Sequence, residues 1–335
     1  MTCYHPLIRH ELWEKYRTLD GHWTYKAKIS GLQPGQSYED AEEIAKSIQA
    51  SGRYRRVQII PCGKCIGCRL EYSKQWATKG ILEAEQFKDN WFLTITYDQE
   101  HLPENGSLKA NEFKNFIKKI REYYDRKYNH IGVRFMGCGE YGTLGRPHYH
   151  AIMFNMPIPI EQMKFHEYNE NHEALYRCPE LEKIWGKGMI VAAEVNWNTC
   201  AYVARYITKK VGIPANKEHY KKLGIEPEFF RMSRKPGIGR EYYEKNKNKL
   251  FEKDEIIVNK YGGGQMKVKP PKYYEKLYDI ENPEKIKEVK EKRKKEQERI
   301  SKIKYHQTTK YKKDQLLLEE DIKKGQAKSL IRTKV

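Results

Sequence analysis

A short glycine-rich connection between two strand-like segments constrains the fold of this chain more than any other feature. Val133–Gly139 and His148–Phe154 both have the composition of strands, and Gly142–Pro147 lies between them. Such a short connection favours an antiparallel hairpin, because a parallel crossover needs about a dozen residues or more. The hairpin fixes the register of two neighbouring strands and therefore of the side chains that they carry.

The segments around this hairpin extend the pattern into a domain. WFLTITY at 91–97 is rich in β-branched and aromatic residues and predicts a strand, as does Gly188–Val195. The spacing of apolar residues predicts helices over Leu70–Phe87, Leu108–Tyr128 and Thr199–Val211. Strands and helices in this order predict an α+β fold with a central, mainly antiparallel sheet flanked by helices.

Changes in composition divide the chain into four regions. We expect an N-terminal extension at 1–54, a core domain at 55–212, a basic accessory region at 213–275 and a charged C-terminal tail at 276–335. Within the tail, Glu281–Lys313 contains 13 Lys or Arg against 6 Glu and few large apolar residues. That composition predicts a solvated helix or a disordered arm that lies along phosphates.

The overall charge indicates the kind of partner. Lys and Arg outnumber Asp and Glu by 64 to 45, and this excess of positive charge favours a polyanion, most commonly nucleic acid. The 25 tyrosines and six tryptophans can stack on unpaired bases. No apolar run approaches the roughly 20 residues that span a bilayer, and the start lacks a signal peptide's apolar stretch. We therefore expect no membrane partner and a cytoplasmic location.

Two histidines on the second hairpin strand form the first candidate site. Side chains alternate between the faces of a strand, so His148 and His150 project from the same face. Glu140 lies at the end of the preceding strand, and strand pairing would bring its carboxylate near both imidazoles. Two imidazoles and one carboxylate with open positions suit Mg²⁺ or Mn²⁺ acting on a phosphate. The alternative is two ordinary surface histidines.

Two tyrosines one helical turn apart form the second candidate site. Tyr202 and Tyr206 are spaced i and i+4, so both phenols lie on one helix face. Arg205 and Lys209 each follow one of these tyrosines by three positions. A phenol has a pKa of about 10, and a nearby cation stabilises the phenolate that attacks phosphorus. The alternative is an aromatic pair packed into the core.

Three closely spaced cysteines form a third candidate site. The chain has seven cysteines, and this odd number does not resemble a secreted disulfide framework. The clustered ones are Cys62, Cys65 and Cys68. Three thiolates at this spacing are candidate ligands of a structural zinc ion or of an iron–sulfur cluster. The sequence leaves the fourth ligand open among Cys3, His5 and Cys138, and free thiols are the alternative.

These motifs occur in the order found in a known superfamily. WFLTITY at 91–97, PHYH at 147–150 and YVARYITK at 202–209 resemble the three motifs of the HUH endonucleases, which include rolling-circle replication initiators, relaxases and some transposases. The chain is most similar to the gokushovirus-like replication initiators of microviruses. Four blocks carry that similarity: CGKCIGCRLEYSKQWA at 62–77, GEYGTLGRPHYHAI at 139–152, AYVARYITKK at 201–210 and RKPGIG at 234–239.

The resemblance implies a metal-dependent endonuclease that cuts single-stranded DNA at a replication origin in a bacterial host. A metal held by Glu140, His148 and His150 would polarise the scissile phosphate, and one tyrosine would attack it. The products would be a 5′-phosphotyrosine and a free 3′-OH for host polymerase and helicase to use, and the second tyrosine would allow later religation. Lys209 would steady a phosphate. The other cations expected to contact DNA are Arg205, Lys210, Arg234 and Lys235.

Two other functions stay open. A relaxase or transposase would use the same chemistry, but relaxases mostly carry an N-terminal tyrosine followed by three histidines. Here the tyrosines follow the histidines, which favours an initiator. A non-enzymatic DNA-binding protein, with the cysteines as a zinc module and the tail as an anchor, would leave the histidine pair and the tyrosine pair unexplained.

Overall fold

The structure, a computed structural model, describes residues 3–19, 21–32, 38–142, 144–170, 172–210, 214–259, 263–307 and 312–329. The side chains of 38–40, 206–210, 214–217, 301–307, 312–317 and 327–329 lie outside that description. The chain divides into two compact units: Met1–Glu71 with Glu296–Arg332, and Tyr72–Lys295 with Thr333–Val335. The region boundaries expected at residues 54, 212 and 275 stay predictions.

Strands and helices alternate along much of the chain. The strands are β1 (Leu7–Arg17), β2 (Trp23–Gly31), β3 (Arg56–Ile60), β4 (Asn90–Thr96), β5 (Arg134–Tyr141), β6 (Pro147–Phe154), β7 (Lys164–Tyr168), β8 (Ala174–Arg177), β9 (Ile190–Glu194), β10 (Phe229–Met232), β11 (Ile256–Asn259) and β12 (Gln265–Val268). The helices are α1 (Tyr38–Ala50), α2 (Ile66–Ala84), α3 (Ala110–Lys127), α4 (Pro179–Trp185), α5 (Trp197–Lys210), α6 (Pro214–Leu223), α7 (Arg240–Lys253), α8 (Lys272–Glu281), α9 (Pro283–Gln307) and α10 (Lys312–Ser329).

A large antiparallel sheet belongs to the second unit. Within the described ranges its seven strands follow the order β10-β5-β6-β4-β9-β8-β7. Each neighbouring pair is antiparallel. The hairpin predicted from the glycine-rich connection is β5–β6, in which Glu140 lies opposite His148. The predicted α+β class, with a mainly antiparallel sheet flanked by helices, is confirmed.

Alternate residues of the central strands pack into two different hydrophobic clusters. Leu93 and Tyr149 join apolar residues of α3 and α4 in one cluster. Phe92 and Ile152 join residues of α2 and α5 in the other. Burying each such side chain contributes roughly 1.5–3 kcal/mol, so a one-residue slip in register would expose a whole face. His150 alternates with Tyr149 and therefore lies on the α5 side of the sheet.

The N-terminal region forms a second sheet that the sequence did not predict. In the first unit, the antiparallel strands follow the order β2-β1-β3, and α1 contacts β3. β3 agrees with the strand expected near Arg56, whereas β1, β2 and α1 were missed. Ile8 is buried on the middle strand, which shows that this small sheet has a packed side.

The C-terminal tail is helical in its described part. The segment expected to be a solvated helix or a disordered arm is α9 up to Gln307. Its first turns are not fully solvated, because Ile286 and Val289 are buried and Arg293 pairs with Asp254 and Glu275. Within the described ranges, no helix combines the length and apolar character needed to cross a membrane.

Candidate active site

The pairing of three neighbouring strands positions Glu140, His148 and His150. Glu140 on β5 lies directly opposite His148 on β6. On the other side of β6, Thr96 and Thr94 of β4 lie opposite the two histidines. Residues directly opposite one another in antiparallel strands share a face of the sheet. The register therefore brings one carboxylate and two imidazoles together on one face, and we call these three residues the Glu–His–His group.

A single carboxylate oxygen faces both imidazoles. Glu140 Oε1 lies 2.6 Å from His148 Nε2 and 3.0 Å from His150 Nε2. One ligand atom from each of the three residues lies within 4.8 Å of the others, so all three can bind one ion. The two imidazole planes are nearly perpendicular, at 89°, and the nitrogens therefore converge from different directions.

The outer nitrogen of each ring contacts an oxygen atom. His148 Nδ1 lies 3.1 Å from the carbonyl oxygen of Arg146, and His150 Nδ1 lies 3.1 Å from Thr94 Oγ1. A carbonyl oxygen only accepts, so His148 Nδ1 donates and Nε2 of the neutral ring keeps its lone pair. That lone pair faces a carboxylate oxygen, an arrangement that a bound cation would stabilise.

Glu140 is a buried, ionised carboxylate with an unused oxygen. Its residue exposure is 3%, and Oε2 has no hydrogen-bond partner within the described part of the chain. Burial by itself raises the pKa of Glu140, but the hydrogen bonds from His148 and His150 outweigh burial and hold that pKa well below its usual value. A buried acceptor without a partner costs free energy, and a cation bound to it would remove that cost.

Helix α5 brings Tyr202 to the same carboxylate oxygen. The Tyr202 hydroxyl donates a hydrogen bond to Glu140 Oε1 at 2.8 Å and lies 3.4 Å from His150 Nε2. The Arg205 guanidinium lies 5.1 Å from the centroid of the Tyr202 ring. Burial and the negative charge of Glu140 raise the pKa of Tyr202, whereas Arg205 lowers it. The phenol is therefore protonated and adjacent to the Glu–His–His group.

Three other residues predicted on this helix have side chains outside the described residues. They are Tyr206, Lys209 and Lys210. Their backbone belongs to α5, which runs from Trp197 to Lys210. The helix therefore keeps Tyr206 one turn beyond Tyr202, as the spacing predicted. The roles of all three residues stay predictions.

Two residues of β4 that sequence reasoning missed support His150. The ring of Phe92 stacks on the imidazole, with centroids 5.4 Å apart and planes 7° from parallel. Thr94 contacts the outer nitrogen of the same ring. Burial lowers the pKa of His150 although Glu140 opposes this, so the ring is neutral and able to bind a metal. The period-two alternation of WFLTITY was the available signal for both residues.

Arg234 and Lys235 are exposed on the segment between β10 and α7. The end of this segment is anchored, because the Gly239 N–H donates to Glu83 at 2.6 Å and its carbonyl accepts from the Tyr274 hydroxyl at 2.7 Å. Gly239 has φ +78°, and a Cβ there would lie 2.5 Å from the Tyr274 oxygen, so glycine is required. No described contact links either cation to the Glu–His–His group, and their contact with DNA stays a prediction.

A second set of ligand atoms lies in the first unit. Four sulfur atoms lie within 4.8 Å of one another, and we call their residues the four-cysteine group. Its members are Cys3, Cys62, Cys65 and Cys68. Of the candidates for the fourth position, Cys3 is the residue that the structure brings to the other three. Cys138 instead lies on β5, and His5 Nε2 contacts Glu320 Oε2 at 2.9 Å.

Known proteins with similar sequences carry a common description. Residues 90–211, from β4 to α5, match the family model of replication-associated protein ORF2. Replication-associated protein ORF2 of Spiroplasma virus 4 is 34% identical over 228 residues, which cover 66% of this chain and 68% of the relative. Replication-associated protein VP4 of Bdellovibrio phage phiMH2K is 32% identical over 230 residues, which cover 68% and 69%.

A more distant relative has the same description. Replication-associated protein ORF4 of Chlamydia phage 1 is 28% identical over 221 residues, which cover 65% of this chain and 53% of the relative. No solved structure matches the chain. The antiparallel sheet and its ligand groups thus occur in a protein of the phage replication class. More narrowly, the chain belongs to the replication-associated protein ORF2 family.

Proposed function

We propose that this protein initiates rolling-circle replication by cutting single-stranded DNA at the origin with a tyrosine. The observation that carries the proposal is the convergence of three groups on Glu140 Oε1. The imidazoles of His148 and His150 and the hydroxyl of Tyr202 lie 2.6, 3.0 and 2.8 Å from that oxygen. Family membership supports a role in replication, and a net charge of +19 suits a nucleic-acid partner.

The Glu–His–His group fits a divalent cation, and we assign it Mg²⁺ or Mn²⁺. Two imidazole nitrogens and a carboxylate leave coordination positions for phosphate oxygens and water. The partnerless buried oxygen of Glu140 is a further acceptor that an ion would satisfy. When bound, the ion would polarise the scissile phosphate and stabilise the charge that develops on it.

In the proposed reaction, a tyrosine oxygen of α5 bonds to phosphorus while the bond from phosphorus to the 3′ oxygen breaks. The phenol loses its proton and the leaving 3′ oxygen gains one, so the products are a 5′-phosphotyrosine and a free 3′-OH. Burial raises the pKa of Tyr202, and the phenol must therefore be activated when the phosphate binds. Arg205, beside the Tyr202 ring, would stabilise the negative charge of the transition state.

The second tyrosine would end a round of replication. A host polymerase would extend the 3′-OH while a host helicase separates the strands. After one circuit, the second phenol would cut the regenerated origin while the first covalent link persists. The new 3′-OH would then attack the earlier phosphotyrosine, which reseals the strand and frees the first tyrosine. Lys209, three positions after Tyr206, would steady a phosphate during these steps.

Cleavage of a single-stranded oligonucleotide carrying the phage origin tests this function. With Mn²⁺ we expect the 3′-labelled DNA to become covalently joined to the protein, and EDTA should prevent this. His148→Ala should bind the same DNA without forming the adduct. If the wild-type protein binds the origin strand but forms no adduct in Mn²⁺ or Mg²⁺, the chain is a non-enzymatic DNA-binding protein and the proposal fails.

A further inference from the structure

We propose that the four-cysteine group of the first unit binds one structural zinc ion. The sulfurs of Cys3 and Cys65 are 3.9 Å apart, and those of Cys62 and Cys68 are 4.0 Å apart. These distances are far longer than the roughly 2.05 Å of a disulfide bond. A tetrahedral zinc ion with zinc–sulfur bonds of about 2.3 Å separates its sulfurs by about 3.8 Å. The group therefore has the dimensions of a single tetrathiolate site.

Backbone N–H groups point at three of the four sulfurs. Cys62 Sγ accepts from the N–H of Cys65 at 3.3 Å. Cys65 Sγ accepts from the N–H groups of Tyr4 and Cys68 at 3.4 and 3.5 Å. Cys3 Sγ accepts from the N–H of Cys62 at 3.3 Å. Hydrogen bonds donated to sulfur favour the thiolate, which is the form that binds a metal.

Donor type and spacing select the ion. Thiolates are soft ligands that prefer zinc or iron to Mg²⁺ and Mn²⁺. A multi-iron cluster spreads its four thiolates wider than one ion does, whereas these sulfurs all lie within 4.8 Å of one another. The three cysteines outside the group are buried in the second unit and are ordinary packing residues there. They are Cys138, Cys178 and Cys200.

The ion would connect parts of the first unit that are distant in sequence. Cys3 precedes β1, whereas the other three ligands lie after β3 and at the start of α2. β1 is the middle strand of the small N-terminal sheet, so the ion would hold the beginning of that strand beside the end of β3. Small sheets of this kind gain much of their stability from such cross-links. With four protein ligands no coordination position is left for a substrate, so the role is structural.

The metal content of the purified full-length protein tests this proposal. We expect elemental analysis to find one zinc ion per chain after extensive dialysis, released when a mercurial reagent blocks the thiols. Cys3→Ser should lower the zinc affinity by about 10-fold or more. Cys178→Ala, at a fully buried cysteine of the second unit, is the matched control and should keep its zinc.

Metal exchange in the unaltered protein avoids reliance on a variant that fails to fold. Cobalt substituted for zinc should give the intense sulfur-to-cobalt absorption of a tetrathiolate site. His148→Ala should keep its zinc, so failure of this proposal is distinguishable from failure of the proposed nuclease. Protein that contains no zinc, that contains iron instead, or whose Cys3→Ser variant keeps full zinc affinity would overturn the assignment.

One face of the β1–β2 hairpin carries a separate observation, because it combines aromatic rings with cations. Trp23 is 69% exposed. Arg17 lies opposite Trp23, and Lys15 lies opposite Tyr25, so these four side chains share a face of the sheet. The Arg55 guanidinium lies 3.9 Å from the centroid of the Tyr25 ring. Rings alternating with cations suit a strand of unpaired bases and phosphates.

We infer that this face binds single-stranded DNA, with a base stacked on Trp23 and phosphates at Lys15 and Arg17. The inference rests on the proposed function, because it takes the DNA substrate as the ligand. Charge complementarity favours this occupant over a protein partner. The exposed aromatic pair Phe165 and Tyr168 on β7 differs, since it has Glu167 between its members and lacks such a row of cations.

Binding of a fluorescent oligonucleotide in EDTA, where no cleavage occurs, tests this surface. We expect Trp23→Ala to weaken binding by about 5- to 100-fold, the range for loss of one stacked base. Phe165→Ala is the matched control and should bind like the wild type. Unchanged affinity of Trp23→Ala, or self-association that depends on Trp23 without DNA, would overturn the inference. If the wild type does not bind the oligonucleotide at all, the proposed function fails as well.

Discussion

The two groups of candidate ligands differ in how the chain assembles them. The Glu–His–His group comes from a single hairpin, so β5 and β6 bring its members together by local pairing. The four-cysteine group instead joins Cys3 to a turn whose first cysteine lies 59 positions further along the chain. Local pairing can be predicted from a strand pattern, whereas the second group requires a tertiary contact.

The two groups also differ in what their atoms still lack. In the first, Glu140 Oε2 is buried without a partner within the described ranges, and a phenol lies at the edge of the group. In the second, backbone N–H groups already contact the sulfurs, and four thiols complete a tetrahedron. The comparison teaches that the first group is open to a substrate and the second is closed. Four predictions test this difference, beginning with the largest effect.

Loss of His148 should abolish cleavage while leaving the cysteine site intact. We expect His148→Ala to reduce adduct formation by at least about 1,000-fold, because several kcal/mol of transition-state stabilisation depend on the ion. Unlike His150, whose ring is stacked on Phe92, His148 is partly exposed and its removal should leave folding unaffected. Gel analysis of the adduct with parallel zinc analysis measures both sites. Normal cleavage by this variant in Mn²⁺ would remove the distinction between the two groups.

Removal of the phenols should separate a single cut from a complete round. We expect Tyr202→Phe and Tyr206→Phe each to retain some cleavage but to fail in sustained replication, because closing the circle requires a second attack. The double variant should form no adduct, although its Glu–His–His group and its zinc are unchanged. Adduct assays and replication of a circular template measure these outcomes. An adduct formed by the double variant would place the nucleophile elsewhere.

Loss of the Glu140 charge should remove the stabilisation that a divalent ion provides. At an ion concentration of 100 times Kd, binding stabilises the folded wild type by about 2.7 kcal/mol, and Glu140→Gln should lose most of this increment. Unfolding with and without Mn²⁺ measures it. Glu173→Gln, at another buried carboxylate, is the matched control and should keep the increment. Equal Mn²⁺ effects in Glu140→Gln and the wild type would show that the ion binds elsewhere.

The smallest effect concerns the charged helix α9, which contributes to neither group. Its exposed lysines should add sequence-independent affinity for DNA, and neutralising four of them should lower the slope of log affinity against log salt by up to about 2.8. The four are Lys285, Lys287, Lys292 and Lys295. Substitution is preferable to truncation, because truncation would remove the buried Ile286 and Val289. Identical salt slopes would show that α9 serves something other than DNA binding.

The sequence predicted the region around the hairpin because its pattern is local. Period-two alternation in WFLTITY and HYHAIMF indicated which side chains share a face, and the short connection indicated the pairing of β5 with β6. The α+β class followed from the order of the elements. The contacts of Phe92 and Thr94 with His150 depend on the register between β4 and β6, which the separate segments do not reveal.

Other elements could not be predicted because tertiary contacts determine them. β10 has four residues within a basic, turn-rich segment, and it becomes a strand by pairing with the edge of β5. In β1, an irregularity between Glu11 and Lys15 interrupts the alternation that would have indicated a strand. Cys3 could not be chosen over His5 or Cys138 as the fourth ligand, because nothing in its sequence neighbourhood specifies its partners.

Identification of the residue that becomes joined to DNA tests the central claim most directly. The wild-type protein is incubated with origin-bearing single-stranded DNA and Mn²⁺, the adduct is digested with nuclease and protease, and the modified peptide is sequenced by mass spectrometry. The account predicts a phosphotyrosine at Tyr202 or Tyr206, bonded to the 5′ end of the cut strand. A DNA link at any other residue, or a link to the 3′ end, would contradict it.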